Sequence, residues 1–121
     1  MFTITVETHF QASHQLVLPD GSKEPAHSHD WVVTTAVSSE KLDDMGVVMD
    51  FRTLTEMVED ATAKLDNTAL GQVEYFHRNN PSAENVARYI YDRLRGQLPE
   101  GVELQSIKVI EEPGCSARFG E

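Results

Sequence analysis

Residues 2–14, F-T-I-T-V-E-T-H-F-Q-A-S-H, and residues 27–39, H-S-H-D-W-V-V-T-T-A-V-S-S, decide the fold. In the first stretch Phe2, Ile4 and Val6 alternate with Thr3, Thr5 and Glu7, the period of a half-buried strand. The second stretch is rich in valine and threonine around Trp31 and predicts another strand. Between them, residues 19–25 read P-D-G-S-K-E-P, with an Asp-Gly pair and two prolines, which is turn chemistry. The two strands and their loop form a long hairpin.

Outward from the hairpin, Asp50 is suited to cap a helix beginning at Phe51, and Phe51, Leu54, Val58, Ala61 and Leu65 fall on one apolar stripe. A second helix follows Asn80-Pro81-Ser82, with Ser82 as its cap, Val86, Ile90 and Leu94 as its stripe and Gly96 at its end. Val102–Glu112 predicts a third strand, and its apolar step from Leu104 to Ile107 breaks alternation as a bulge does. Pro113-Gly114 is a turn before a short fourth strand over Cys115–Phe119. The order ββααββ implies an α+β architecture, an antiparallel sheet with both helices on one face. The length of 121 residues fits a single domain, 1–121, whose modest core makes self-association unsurprising.

A formal charge of −10 argues against a nucleic-acid partner, which needs concentrated lysine and arginine. No apolar run reaches the roughly 20 residues of a membrane helix. The N-terminus lacks a basic head and an apolar signal core, so secretion is not indicated and the cytoplasm is the expected location. The single cysteine, Cys115, excludes an intrachain disulfide and is expected as a buried structural thiol.

The five histidines are His9, His14, His27, His29 and His77. On a strand, His27 and His29 point to the same side, and the returning strand can bring His14 beside them. Three imidazoles with an open fourth position is the pattern of a catalytic zinc site, although imidazole also suits iron or nickel. The competing expectation for a lone His-x-His is two partly exposed strand histidines. His77 is expected in a solvent-exposed loop.

Phe10-Gln-Ala-Ser-His14, then the loop, then His27-Ser-His29-Asp30-Trp31 resembles F-x-A-A-H…H-G-H-N-Y of the 6-pyruvoyl-tetrahydropterin synthase and 6-carboxy-tetrahydropterin synthase family. Residues 45–51, M-G-V-V-M-D-F, are similar to that family's G-M-V-x-D-F, and Leu65-Asp66-Asn67 stands where it has L-D-H. Residues 80–85, N-P-S-A-E-N, resemble N-P-T-x-E-N, and Val109-Ile110-Glu111-Glu112 resembles V-x-E-T. The resemblance spans nearly the whole chain. It implies a tunnelling fold (T-fold) whose sheets join into a trimeric barrel, often stacked as a hexamer, with zinc held by His14, His27 and His29. The implied substrate is a phosphorylated pterin, 7,8-dihydroneopterin triphosphate. Glu111 would anchor the ring through paired hydrogen bonds. Ser82 and Glu84 would border the same pocket, a role compatible with capping the second helix.

Two departures bear on chemistry. Lys23 stands where the family's cysteine would, and Asn67 where its proton-relaying histidine would, leaving Asp66 of that pair. Ser28 and Asp30 replace glycine and asparagine, and Asp30 is expected as a partner for an imidazole N–H at the metal. Glu24, three residues before His27, resembles the E-x-x-H-x-H variant, in which glutamate does the cysteine's work and the product is 6-hydroxymethyl-dihydropterin. The expectation is a zinc-dependent lyase using Glu24 and Asp66. The alternatives are a zinc- and pterin-binding homologue without turnover and an enzyme for a different pterin or purine-like substrate. Lys23, Arg88 and Arg118 are equivalent candidates for meeting the phosphates.

Overall fold

The expected hairpin is the spine of the structure. β1 (Phe2–His14) and β2 (His27–Ser39) pair antiparallel without a break, Phe2 opposite Ser39 and His14 opposite His27. The computed structural model describes residues 1–120, so Glu121, the last residue of the expected domain, lies outside them. α1 (Phe51–Thr62), the two-residue β3 (Thr68–Ala69), α2 (Ala83–Leu94), β4 (Glu103–Glu112) and β5 (Cys115–Gly120) follow, with 3₁₀ turns at Leu70–Gln72 and Glu74–His77. The strand order is β3-β1-β2-β4-β5, and the helices cover one face. No helix is long and apolar enough to cross a membrane.

Local chemistry accounts for the helix starts. The Asp50 carboxylate accepts from the N–H groups of Arg52 and Thr53 at 2.7 and 3.3 Å, and the Ser82 hydroxyl accepts from Asn85 N–H at 3.2 Å. Leu54, Val58 and Ala61 bury α1's stripe, and Val86, Ile90 and Leu94 bury that of α2. Phe51 departs from expectation: it is 59% exposed, as the first residue of its helix. Leu54 is fully buried, so Leu54→Ala should lower unfolding free energy by about 2–5 kcal/mol, measured by urea denaturation.

Two irregularities in β4 matter for the site. Ala36 faces Ser106 while Val37 faces Leu104, so Gln105 is the extra residue of the expected bulge. That shift brings Ile107, Val109 and Glu111 into phase on the helix-covered face. Nearer the turn, Ile110 faces Ser116 and Glu112 faces Cys115, which leaves Glu111 as the extra residue against β5. Bulges of this kind re-aim one side chain, and here that side chain is a carboxylate.

β3 adds a parallel pairing to the expected antiparallel sheet, Ala12 with Thr68 and Ser13 with Ala69. Its cause lies just upstream. Asp66 accepts from Gln11 N–H at 2.9 Å, and Asn67 N–H donates to the Gln11 carbonyl at 2.6 Å. Asn67 has φ 58°, a left-handed conformation that asparagine tolerates better than most residues. Cys115 corrects the expectation of a buried thiol: it is exposed, because β5 is the outermost strand and Cys115 begins it at the turn.

Candidate metal and substrate site

Strand alternation places His14, His27 and His29 on the helix-covered face with Trp31. His27 lies directly across from His14, and His29 across from Ala12. The ring centroids of His14 are 4.7 Å from His27 and 5.3 Å from His29, and those of His27 and His29 are 4.8 Å apart. One ligand atom from each residue lies within 4.8 Å of the other two. His14 is buried, His29 half-buried and His27 exposed, so the cluster opens to solvent on the His27 side.

The donors fit a metal ion in their hydrogen bonding as well as their spacing. His14 Nδ1 is 2.7 Å from the carbonyl oxygen of Pro81, and His27 Nδ1 is 3.1 Å from that of Pro25. A carbonyl only accepts, so each ring donates its Nδ1–H there, which leaves Nε2 as the nitrogen open to a metal. Carbonyl support of this kind fixes the tautomer and orientation of ligating histidines. Nε2 of His14 and of His29 are buried without a hydrogen-bond partner. Glu111 Oε1 nevertheless comes within 3.2 Å of His14 Nε2. Two such groups at that distance suit a cation held between or beside them. Sequence reading missed both proline carbonyls; residues 80–82 showed only a helix start, although a proline before a cap is also a committed acceptor.

Glu24 approaches from the open side. Its Oε1 is 4.0 Å from His27 Nε2 and accepts from Leu16 N–H at 3.1 Å. Its backbone also pairs with the Leu16 carbonyl, which holds it beside the end of β1. Asn80 ties the neighbouring turn down from the other side, its side-chain amide meeting both N–H and carbonyl of Val17 at 2.8 and 3.0 Å. Ser82, Glu84 and Glu111 line one depression of about 370 Å³ with Leu16, so the structure brings these three expected pocket residues together.

Two expected members of the site lie elsewhere. Asp66 is exposed and accepts from the Gln11 N–H at the outer edge of β1, with no hydrogen bond or ion pair to the three histidines among the described residues. Asp30 corrects the expectation that it supports a metal-binding imidazole. Neighbouring strand residues point to opposite faces, so Asp30 turns away from His29, and its carboxylate lies 3.6 Å from His9 Nδ1. His77 is exposed as expected, although it belongs to a 3₁₀ turn.

The family model for 6-pyruvoyl tetrahydropterin synthase matches residues 3–121. The chain belongs to this family. A 6-carboxy-5,6,7,8-tetrahydropterin synthase from Rickettsia conorii is 24% identical, covering 95% of this chain and 97% of its own. A dihydroneopterin monophosphate aldolase from Pyrococcus furiosus is 30% identical over 84% of this chain and 82% of its own. The solved 6-pyruvoyl tetrahydropterin synthase of Caenorhabditis elegans superposes with a TM-score of 0.87 at 21% identity, covering 99% of this chain and 95% of that one. Its fold is therefore the T-fold of that family, and its class is that of the 6-pyruvoyl tetrahydropterin synthase type of lyase.

Proposed function

We propose that the chain is a zinc-dependent lyase that cleaves the side chain of a phosphorylated dihydropterin, of the 7,8-dihydroneopterin phosphate class, with Glu24 as its proton-transfer group. The observation that carries this reading is the placement of two carboxylates around the histidine cluster, Glu111 at 3.2 Å from His14 and Glu24 at 4.0 Å from His27. They suit different tasks. Glu111, on the half-buried bulge of β4, faces the depression that Ser82 and Glu84 share, where it can accept two parallel hydrogen bonds from a pterin's amino and ring N–H groups. Glu24 stands at the solvent-open side, where a substrate side chain would pass.

Bound to His14, His27 and His29, zinc would supply Lewis acidity toward side-chain oxygens. Glu24 takes the proton from a side-chain hydroxyl. As that oxygen becomes a carbonyl, the adjacent carbon–carbon bond breaks and its electron pair moves into the dihydropterin ring. The protonated Glu24 then returns its proton to the carbon left on the ring, so no oxidant or reductant is consumed. The Leu16 N–H keeps Glu24 oriented through both steps. Asp66 stays with Gln11, so we assign the proton transfer to Glu24 alone.

Self-association as a trimer or hexamer belongs to the same reading. β1 is unpaired along its outer edge before Ala12, and β5 has no strand beyond it among the described residues. Joining one copy's β5 to the next copy's β1 would satisfy both edges and close a barrel.

Anaerobic incubation of the zinc-loaded protein with 7,8-dihydroneopterin monophosphate and triphosphate, followed by chromatography, tests the function. Consumption with formation of 6-hydroxymethyl-dihydropterin is expected. His29→Ala should abolish it, and Glu111→Ala should weaken pterin binding at least tenfold. Tight binding without consumption would replace the lyase by a binding protein.

A further inference from the structure

We propose that Lys23, assisted by His77, forms the phosphate-binding end of the substrate site, so that this member selects phosphorylated over unphosphorylated side chains. The inference rests on the pterin reading above and extends it to a part of the ligand that reading leaves without partners.

The geometry points there from two directions. The depression holding Glu111, Ser82 and Glu84 reaches the histidine cluster through Glu111, and His14 lines another. That other depression, of about 580 Å³, is lined by His14, Ser13, Gln15, Lys23, Gln72 and His77. The 3.2 Å approach of Glu111 to His14 joins the two. A pterin whose ring is held at Glu111 would extend its side chain past His14 and bring its terminus into the second depression. Away from His14, that depression is lined by hydrogen-bond donors, Lys23, His77, Ser13, Gln15 and Gln72, and by no carboxylate.

Structure also separates the three equivalent cations. The Arg88 guanidinium lies 5.4 Å from the centre of the Phe119 ring, and its Nε is 3.8 Å from Asp92. Arg118 faces Lys108 across β4 and β5, both of them exposed. Lys23 has no ion pair or side-chain hydrogen bond among the described residues, and its backbone is bridged to Val17. In such an extended segment neighbouring residues point opposite ways, so Glu24 meets His27 while Lys23, exposed, lines the rim of the other depression. In a chain of net charge −10, a phosphate group approaches only where a local cation offsets the field. The position where relatives carry cysteine is thus put to a different use: the proton-transfer group moves one residue along to Glu24, and the vacated place binds charge.

Isothermal titration of the zinc-loaded protein with 7,8-dihydroneopterin and with its monophosphate tests this. Wild type should bind the monophosphate at least tenfold more tightly, with an advantage that shrinks as salt rises. Lys23→Gln should remove most of that advantage and leave the affinity for 7,8-dihydroneopterin unchanged, and Lys23→Arg should restore it. Equal affinity of wild type for the two ligands, or an advantage that survives in Lys23→Gln, overturns the phosphate site while leaving the pterin site standing. Failure of wild type to bind either ligand overturns both. Equal zinc content in wild type and variants, read by atomic absorption, shows that any change arises from the ligand.

Discussion

Glu24→Gln is expected to lower kcat by about 10²–10⁴-fold, the range for removing a positioned general base or acid. Zinc content and pterin affinity should stay within about twofold of wild type. The substitution separates proton transfer from scaffolding because an amide oxygen can still accept the Leu16 N–H that Glu24 Oε1 accepts at 3.1 Å. The loop then keeps its shape while the group loses its ability to carry a proton. Glu24→Asp should retain a small part of the activity, its carboxylate set back by one methylene. Single-turnover measurements on zinc-loaded protein are the check. A Glu24→Gln enzyme within tenfold of wild type would return proton transfer to another group, and Asp66 would be next to test.

The hairpin, both capped helices and the histidine cluster were legible because each follows from a short-range rule. Alternation puts residues i and i+2 on one face, so His27 and His29 belong together whatever surrounds them. The bulge at Gln105 was legible for the same reason, as a break in that alternation. Alternation would also have sent Asp30 to the far face, and the expectation that it serves the metal ignored that rule in favour of proximity in sequence. Other features were hidden because they depend on pairings distant along the chain. The bulge at Glu111 exists only relative to β5, and nothing in V-I-E-E marks which residue is extra. The acceptor for His14 is a carbonyl 67 residues away, and a backbone carbonyl carries no signature in sequence. Asp66 looked catalytic because Leu65-Asp66-Asn67 resembles a motif that ends in histidine. The structure gives it a hydrogen bond to Gln11 that any aspartate at the start of a left-handed turn could make. Exposure of Cys115 likewise follows from β5 being the last strand within the chain.

Removing the buried ligand should have the largest effect. His14 is 3% exposed, sits 5.0 Å from the Trp31 ring and holds Pro81 through its Nδ1. His14→Ala is expected to take zinc content from near one per chain to near zero and to leave no measurable turnover. Its stability should fall as well, because the Pro81 carbonyl loses its buried partner at a cost of about 1–3 kcal/mol. Activity alone could not separate a lost metal from a disturbed fold, but chelation can. A metal that binds only the folded chain stabilises it by about 2.7 kcal/mol at 100 times its dissociation constant. EDTA should therefore lower the melting temperature of the wild type by several degrees and leave that of His14→Ala unmoved. His9→Ala, on the opposite face of β1 beside Glu7 and Asp30, should respond to EDTA as the wild type does. If His14→Ala instead kept its zinc and its response to chelation, the three rings would not be acting as one ligand set.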